Sequence, residues 1–549
     1  MSNKKLFISK KYSELASKLR RYPTLVDMKE IGITREAIRQ SHNSITKLRE
    51  YSKNENKKYF ARIYDLSDVI NDVQGARDKR LLKKFKKFYV SSVGSGPVFK
   101  QNYDSIMNYC KINKSLPIFL PISHKIENID PFLIEKYKRG EIILAYDNIV
   151  LNENLKIVAL DQKDTTMNPT SGLKMTGHKS MIVPGAVQMY DSIPIKKGGN
   201  PRAIMSTGCV TKPVYLNKNN PRSKTILKAT GRHIIGGWIV EIEDKKTFYV
   251  RQTQANKDGS FPDWGVEYHP KKTKKIIPEM AMGDLHSLDK DEKAFQSYLK
   301  LAKELKCKSV YMHDISDCLS INPHDLHKAA FQINLHIQER KSLSKELTVL
   351  ADDLNRLTSV FDEVNIVDSN HNDFLLRALD KGDILKDPEN GLLASILYPF
   401  AILSYMKGRT KNITKQIEDR YGIKGSELIK QMPGIGKLKS VLEVAVNFFG
   451  VKDQHKVKWH GIDDSKTVGG FEMLDHGHKG SNGARGGLNT SAVVYPKSIV
   501  GHGHSPKQIN YNIVLGHLVQ TDPCPEYIKG GYSSWAVMCG LVYPTGQFQ

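Results

Sequence analysis

The chain has few cysteines and lacks long apolar stretches. Its six cysteines form no Cys-x-x-Cys pair and no closely spaced framework, which argues against a disulfide-rich secreted domain and favours a reducing compartment. No run of 18 apolar residues occurs, and the basic stretch at residues 1–11 lacks the apolar core of a signal peptide. The sequence therefore predicts a soluble intracellular protein rather than a secreted or membrane-spanning one.

Acidic residues are scarce relative to basic ones. The 549 residues include 83 lysines and arginines against 58 aspartates and glutamates, a formal net charge of +25 at pH 7. A surplus of this size favours a polyanionic partner, most commonly nucleic acid, over a basic surface without a partner. The excess is concentrated in residues 1–100, which hold 24 basic and 10 acidic side chains. A chain of this length is expected to contain roughly two to four domains.

Residues 1–88 form a basic, predominantly helical region with two candidate DNA-binding elements. The first resembles a helix-turn-helix, with a helix at 23–30, a turn at 31–34 and a second helix over 35–48 that begins after Thr34 and presents His42 among its polar residues. Ordinary helical packing explains that pattern equally well. The second element is the lysine-rich stretch 77–87, which predicts either a phosphate-binding helix or a solvated helix face. The predicted nucleic-acid contacts in this region are Arg35, Arg39, Lys83, Lys84, Lys86 and Lys87.

Residues 89–272 predict a mixed α/β domain without a catalytic signature. Strands at 88–93 and 116–121 flank a helix at 101–110, and later strands are predicted at 142–146, 157–159, 203–205, 238–242 and 247–251. The loop at 93–97 is too short and proline-broken for a phosphate-binding P-loop and lacks its Lys-Ser/Thr pair. The sequence assigns this domain no role.

Five short clusters of His, Asp and Asn occupy the second half of the chain, at residues 283–286, 313–317, 370–373, 476–478 and 501–504. Imidazole nitrogens and carboxylate or amide oxygens suit Mn²⁺, Fe²⁺ or Zn²⁺, and spacing by two places both ligands on one side of an extended segment. A single cluster of this kind is more often structural, but the ordered set predicts a metal centre. Predicted strands at 276–282, 309–312 and 363–367 end at the first three clusters, which places the ligands on one rim of an α/β sheet.

The order and residue types of these clusters resemble the motifs of the calcineurin-like metallophosphoesterases over roughly residues 275–549. The motifs that carry the resemblance are Asp284-x-His286, Asp314 at a strand end, Asn370-His371, His476 and Gly501-His502-x-His504. The resemblance implies a four-layer α/β (α+β) sandwich with flanking helices in residues 273–549, with a helical insertion at about 376–450. That insertion lies between the third and fourth clusters.

The resemblance also implies two divalent metal ions and a role for each ligand. This mixed nitrogen and oxygen set contains no thiolate and suits Mn²⁺ or Fe²⁺ better than a structural Zn²⁺, and Mn²⁺ is the predicted ion. Asp284, His286 and His504 would hold the first ion, Asn370, His476 and His502 the second, with Asp314 bridging them. His371 would face the scissile phosphate without binding metal and act as general acid.

Two of the motifs differ from the family pattern. His313 stands where the second motif usually begins with Gly, and Ser369 and Asn372 flank the Asn-His pair in place of Gly and an acidic residue. The ligand types survive both changes. The orientation of His371 is open, because Asn372 has no carboxylate to offer its ring; Asp373 is the predicted substitute.

Three function classes remain open. The charge and the helix-turn-helix-like start favour a DNA nuclease similar to the SbcD-type exonucleases. A protein phosphatase or small-molecule phosphodiesterase on the same fold is weakened because Cys318 follows Asp317, where phosphatases of the family carry a phosphate-gripping Arg. The third class is a DNA-binding protein with a vestigial metal site. Arg485, in the glycine-rich loop 479–487, either contacts phosphate or belongs to a plain connection.

The layout of the whole chain is similar to phage-encoded metallophosphoesterases, and most of all to the first-step-transfer family of large siphophages. The stretch from His476 to Gly486 and the ending around Ser534-Trp535 carry this similarity. It implies a protein that degrades host DNA and supports phage DNA transfer in the cytoplasm of the host cell. Double-stranded DNA would be its partner, and the chain could assemble into a homo-oligomer.

Overall fold

The computed structural model describes residues 2–19, 23, 25–55, 72–196, 201–215, 223–322, 325–404, 415, 418–420, 422, 440–521 and 531–549. The chain divides into two compact units, the first made of residues 1–189 and 203–274 and the second of residues 190–202 and 275–549. Both units mix helices and sheets, as the predicted α/β class requires. The predicted boundary at 272/273 lies beside this division, and the one at 88/89 falls inside a strand; the three-part division stays a prediction.

The helices and strands are numbered here in chain order within the described residues. The α-helices are α1 (Ser2–Leu19), α2 (Leu25–Glu30), α3 (Arg35–His42), α4 (Ile45–Glu55), α5 (Asp72–Lys84), α6 (Lys100–Asn113), α7 (Pro131–Lys138), α8 (Lys224–Arg232), α9 (Glu292–Leu305), α10 (Ala329–Ile337), α11 (Leu343–Thr358), α12 (Phe374–Lys381), α13 (Gly391–Ser404), α14 (Val441–Phe448) and α15 (Leu488–Val494). The strands are β1 (Lys87–Val93), β2 (Leu116–Pro121), β3 (Ile143–Leu144), β4 (Ile149–Val150), β5 (Leu155–Ile157), β6 (Ser180–Val183), β7 (Gln188–Ile193), β8 (Ile195–Lys196), β9 (Arg202–Thr207), β10 (Gly236–Ile242), β11 (Phe248–Gln254), β12 (Phe261–Asp263), β13 (Val266–Tyr268), β14 (Thr273–Lys275), β15 (Glu279–Asp284), β16 (Ser309–His313), β17 (Glu363–Ile366), β18 (Val457–Trp459), β19 (Thr467–Val468), β20 (Phe471–Glu472), β21 (Ser498–Val500), β22 (Lys507–Ile509), β23 (Asn512–Val514), β24 (Tyr532–Ser533) and β25 (Cys539–Val542).

The first unit contains a five-stranded sheet in the order β11-β10-β1-β2-β3. Strands β1, β2 and β3 are parallel, and β10 and β11 run antiparallel to their neighbours. Helix α6 connects β1 to β2 and buries Tyr103, Ile106 and Tyr109 in the core of this sheet. The sequence predicted this strand–helix–strand segment, because its apolar runs and its helical periodicity are both strong.

The N-terminal helices differ from the predicted helix-turn-helix. Thr34 caps α3 by accepting a hydrogen bond from the amide of Ala37 at 3.2 Å, as predicted. The helix predicted over 35–48 is wrong, since α3 ends at His42 and Asn43 adopts a left-handed conformation with φ 67° before α4 begins. His42, predicted as exposed, is buried. Arg39 is exposed but paired with Glu36 at 3.2 Å.

The lysine-rich stretch 77–87 is not one helix. Helix α5 ends at Lys84, and Lys87 is the first residue of β1, so Lys86 and Lys87 lie outside the helix on which the sequence placed them. Phe88 is 2% exposed, and its burial explains why the chain extends here. Lys87 forms an ion pair with Glu241 of β10 at 3.0 Å. Lys83, Lys84 and Lys86 are exposed.

The second unit contains two larger sheets and the short antiparallel pair β24-β8. The first has the order β18-β17-β16-β15-β25, in which β15 to β18 are parallel and β25 is antiparallel to β15. The second runs β19-β20-β21-β23-β22 within this unit. Helices α9 and α11 connect the parallel strands, as their predicted periodicity indicated. Asp291 caps α9 by accepting from the amide of Ala294 at 3.0 Å.

Alternate side chains of the parallel strands enter two different cores. Met280, Met282, Val310 and Met312 lie in a cluster with the helices α9, α11 and α12. Ala281 and Tyr311, the intervening residues, lie in a cluster with the second sheet. This alternation follows the two-residue period of a strand, and burial of both faces explains the nearly continuous apolar sequence.

The outer face of the second sheet is covered by α15. Leu488 of this helix packs with Val500 and Val514. The second unit therefore stacks a helix layer, two sheets and a further helix. Helices α13 and α14, from the two ends of the predicted insertion, contribute Leu397 and Leu442 to the helix-side core, and most of residues 405–439 fall outside the described residues.

No helix in the described part of the chain is long and apolar enough to cross a membrane.

Candidate metal centre

The five His/Asp/Asn clusters lie together at one edge of the sheets of the second unit. Asp284 is the last residue of β15 and His313 the last of β16, and these neighbouring strands are parallel. The two following loops run side by side, because the amide of His286 donates to the carbonyl of Asp314 at 2.8 Å. Asn372 ties the third loop to the second by accepting from the amide of Ile315 at 3.1 Å.

A first group of ligand atoms comes from Asp284, His286, Asp314 and His504, which lie within 4.8 Å of one another. Nε2 of His504 is 3.0 Å from Oδ2 of Asp284 and 3.1 Å from Nε2 of His286. All four side chains are almost fully buried. The sequence predicted three of them as ligands of one ion and Asp314 as the bridge.

A second group shares Asp314 with the first. It comprises Asp314, His476 and His502, again within 4.8 Å of one another. Nε2 of His476 is 3.1 Å from Oδ2 of Asp314. The predicted ligand Asn370 follows β17, and its Oδ1 atom is buried.

Unsatisfied polar atoms show that these residues fit a cation. Oδ2 of Asp284, Oδ2 of Asp314, Nε2 of His476 and Oδ1 of Asn370 are buried and have no correctly aligned hydrogen-bond partner in the described part of the chain. Each such atom costs on the order of 1–3 kcal/mol of stability when it is left unmatched. Carboxylate, amide and imidazole lone pairs that converge without hydrogen-bond partners are the donors that a divalent metal ion requires.

Asp317 holds two histidines of the centre. Its Oδ1 atom lies 2.6 Å from Nδ1 of His286 and 2.9 Å from Nδ1 of His371. Burial alone would lower the pKa of His286, but the Asp317 carboxylate outweighs it and raises that pKa to about 10. The sequence predicted that Asp373 orients the ring of His371. That prediction is wrong, because Asp317 is the carboxylate that orients this ring.

Electrostatics keep the carboxylates of the centre ionised. Burial raises the pKa of Asp284, yet the neighbouring His504 outweighs burial and lowers it to about 2. The pKa of Asp314 is lowered as well, chiefly by His476, against the effect of burial. In return Asp314 raises the pKa of His476. Metal binding must therefore displace a proton from His286, which makes it dependent on pH.

The backbone around the ligands is strained. His286, Asp314, His502 and His504 have φ values of 46°, 35°, 64° and 46°, in the left-handed region that residues with a side chain rarely adopt. Gly501 is required for a different reason: a Cβ atom there would lie 2.3 Å from Oδ1 of Asp284. Strain concentrated at four ligands indicates that the tertiary structure imposes the site geometry.

Sequence reasoning missed several residues beside the centre. His313, His478 and His517 all have buried imidazole nitrogens near the ligands, and burial lowers the pKa of His313 to about 4 and of His478 and His517 to about 3. His313, Asp317 and His478 sit inside the clusters, so their residue types were a usable signal. His517 lies outside the five clusters, so nothing in the sequence marked it as a residue of the centre.

Arg485 lies close in the chain to the ligand His476. Residues 479 and 485 form a bridge between antiparallel segments, and the amide of Gly486 donates to the carbonyl of His478 at 3.0 Å. The loop therefore folds back beside His478, two residues after the ligand His476. The side chain of Arg485 is exposed to solvent. The other predicted nucleic-acid contacts, Arg35 to Lys87, belong to the first unit.

Comparison with known proteins reveals a phage relative. The chain is 25% identical over 427 residues to Protein A1 of Escherichia phage T5, which covers 73% of this chain and 70% of the relative. No family model matches the chain. No solved structure matches it either. The similarity indicates that the chain is related to a phage protein.

Proposed function

We propose that this protein is a phage-encoded, metal-dependent phosphodiesterase that cleaves DNA, with a calcineurin-like metallophosphoesterase fold in its second unit. The observation that carries the proposal is the pair of ligand groups joined through Asp314. The layered helix–sheet–sheet–helix architecture of the second unit and the position of the ligands at the strand ends support the fold assignment. The relation to a protein of phage T5 supports a phage origin.

The proposed ligands form two groups, one for each metal ion that phosphodiester cleavage would use. Asp284, His286 and His504 would hold one divalent ion and Asn370, His476 and His502 another, with Asp314 between them. When bound, two such ions make a bound water a stronger nucleophile and offset the charge on the phosphoryl oxygens. The Oδ2 atoms of the buried Asp284 and Asp314 have no hydrogen-bond donor of good geometry among the described residues, so these atoms remain available as ligands.

His371 is the proposed general acid. Its side chain is 26% exposed, so substrate can reach it, and Asp317 accepts the proton of Nδ1 and holds the ring in place. Nε2 is then the atom that delivers a proton to the leaving oxygen. General-acid work of this kind contributes typically about 10²–10⁴-fold to the rate.

The charge of the protein supports DNA as the substrate. The net charge of +25 and the exposed Lys83, Lys84 and Lys86 provide sites for backbone phosphates, and Arg485 supplies a cation a few residues from His476. A monoesterase would need a cation that grips a terminal phosphate, and Cys318 occupies the position where one would be expected. We infer degradation of host DNA in the host cytoplasm as the biological role.

The test compares three substrates with one preparation. Purified protein with Mn²⁺ should cleave linear double-stranded DNA and bis-p-nitrophenyl phosphate, and a chelator should abolish both activities. Preference for the monoester p-nitrophenyl phosphate would contradict the nuclease proposal and favour a phosphatase. DNA binding without any cleavage, with two Mn²⁺ bound per chain, would indicate a vestigial site.

A further inference from the structure

His313 replaces a glycine of the family pattern and lies against a proposed ligand. Its side chain is 0% exposed, and its ring stacks on that of His476 with the centroids 5.5 Å apart and 30° between the planes. Nδ1 of His313 and Nδ1 of His476 form a hydrogen bond of 3.4 Å. A large polar side chain at the end of β16, where glycine would fit more simply, calls for an explanation.

The bond between two Nδ1 atoms restricts both tautomers. One of these nitrogens must carry the proton and the other must accept it, because two lone pairs or two protons would repel each other. If His313 donates, the neutral His476 carries its proton on Nε2. If His476 donates, its Nε2 atom has a free lone pair, and His313 carries its own proton on Nε2.

Binding of the second metal ion through Nε2 of His476 requires the second arrangement. Nε2 lies 3.1 Å from Oδ2 of Asp314, the ligand that both groups share, so Nε2 must offer its lone pair when the ion is bound, and the proton of a neutral His476 then lies on Nδ1. The alternative acceptor for Nδ1, Oδ1 of Asp284, is 3.9 Å away, beyond hydrogen-bond distance, and already accepts from the amide of His502 at 3.2 Å. His313 is therefore the acceptor within reach of Nδ1 in the described part of the chain.

We propose that His313 is a positioning residue that accepts the Nδ1 proton of His476 and thereby keeps Nε2 of His476 deprotonated for the second metal ion. This inference rests on the proposed function and adds to it a residue that sets the metal affinity of one group. Ligand histidines generally need such an acceptor, usually a carboxylate or a backbone carbonyl. Here a neutral imidazole serves instead, beside Asp284 and Asp314 where another carboxylate would be repelled.

The position of Gly501 shows that the imidazole is tightly held. A Cβ atom on Gly501 would lie 2.8 Å from Cβ and 2.9 Å from Cγ of His313. The loop between β21 and the last two ligands thus packs directly on the His313 ring. The backbone of Gly501 therefore limits the space in which the His313 side chain can move.

The experiment titrates Mn²⁺ into the metal-free full-length protein by calorimetry and follows the bound ions by electron paramagnetic resonance. His313→Phe keeps the ring but removes the acceptor, and it should weaken one of two sites about 10–100-fold. The coupled two-ion signal should then give way to that of a single ion at intermediate Mn²⁺. His313→Asn, whose Oδ1 atom replaces Nδ1, should restore most of the affinity.

Two controls separate the acceptor role from packing. Met312→Leu, a buried residue on the helix side of the same strand, should leave both sites unchanged. In a His476→Gln background, which has no Nδ1 proton, His313→Phe should have no further effect. If His313→Phe unfolds, His313→Leu, which also lacks an acceptor, takes its place in the same cycle.

Two results would overturn the inference. One is equal Mn²⁺ affinity of wild type and His313→Phe; the other is an equal loss in His313→Phe and His313→Asn, which would show that the ring acts by shape alone. Both leave the nuclease proposal intact. Conversely, a protein that binds two Mn²⁺ ions but does not cleave DNA contradicts the nuclease proposal and leaves this inference testable.

Discussion

Asp317 and His371 come from different loops, yet Oδ1 of Asp317 lies 2.9 Å from Nδ1 of His371, and the same oxygen lies 2.6 Å from Nδ1 of His286. One carboxylate therefore orients both a proposed metal ligand and the proposed general acid. Loss of its charge should affect metal binding and proton transfer together.

Asp317→Asn should lower the Mn²⁺ affinity about 10–100-fold and should also lower kcat at saturating Mn²⁺. The asparagine keeps the shape of the side chain but removes the charged acceptor that holds the Nδ1 atoms of His286 and His371 in place. Calorimetry and the hydrolysis of bis-p-nitrophenyl phosphate measure the two effects. Asp373→Asn is the matched control and should stay close to wild type. Greater damage in the control would restore Asp373 as the partner of His371.

Asp314→Ala and His371→Ala should separate binding from turnover. Asp314 belongs to both ligand groups, so its removal should lose both metal ions. His371→Ala should retain metal and lose about 10²–10⁴-fold in kcat, because only proton transfer is removed. Elemental analysis of both purified variants checks this. A metal-free His371→Ala protein would show that His371 is a ligand.

Gly501→Ala should weaken metal binding about tenfold or more while the protein still folds, because the new Cβ atom would displace Asp284 or His313. Gly487→Ala is the control, since a Cβ atom there would meet no atom within 4 Å and its backbone is extended. Mn²⁺ titration of both variants, with thermal unfolding of the metal-free forms, distinguishes a local from a global effect. Equal affinities would mean that the loop relaxes freely.

Glu346 should make stability depend on pH. Burial raises its pKa from 4.5 to about 7, although its carboxylate accepts hydrogen bonds of 2.8 Å from the amides of Leu319 and Ser320. Because the folded state holds this proton more tightly than the unfolded state, the free energy of unfolding should fall as pH rises from about 4.5 to about 7, by on the order of 3 kcal/mol.

Denaturant unfolding of the metal-free protein across this pH range measures the effect. Glu346→Gln cannot titrate and should lack this decline relative to wild type. The exposed Glu339→Gln should follow wild type. Parallel curves for wild type and Glu346→Gln would mean that Glu346 is not protonated in the folded protein.

Lys83, Lys84 and Lys86 should contribute to DNA binding through phosphates. Replacing all three by alanine should weaken binding and reduce the slope of log K against log salt by up to about 0.9 for each phosphate that is no longer neutralised. Lys87→Ala is the control: its charge is already paired with Glu241, so the slope should not change. Hydrolysis of the small diester should persist in both. An unchanged slope in the triple variant would place the DNA surface elsewhere.

The strands that carry the ligands could be predicted because burial on both faces leaves a strong apolar signal. The strands predicted at 309–312 and 363–367 agree with β16 and β17 to within a residue, and β2 agrees at both ends. Helix ends were harder to predict where a single residue decides them. Asn43 adopts a positive φ and so interrupts what the sequence predicts as one continuous helix. The residues on either side of it favour a helix, so the sequence pattern does not show the break.

The sequence by itself determined which residue types could bind metal and the order in which they occur, because ligand chemistry is a property of the side chain and cluster spacing is a property of the chain. Only the tertiary structure decided that Asp317 and not Asp373 orients His371, and that His313 lies against His476. These pairings join residues that are 54 and 163 positions apart in the chain. Their geometry depends on how the loops after β15, β16 and β17 pack on one another and on the strained ligand backbone, neither of which is encoded in any local pattern.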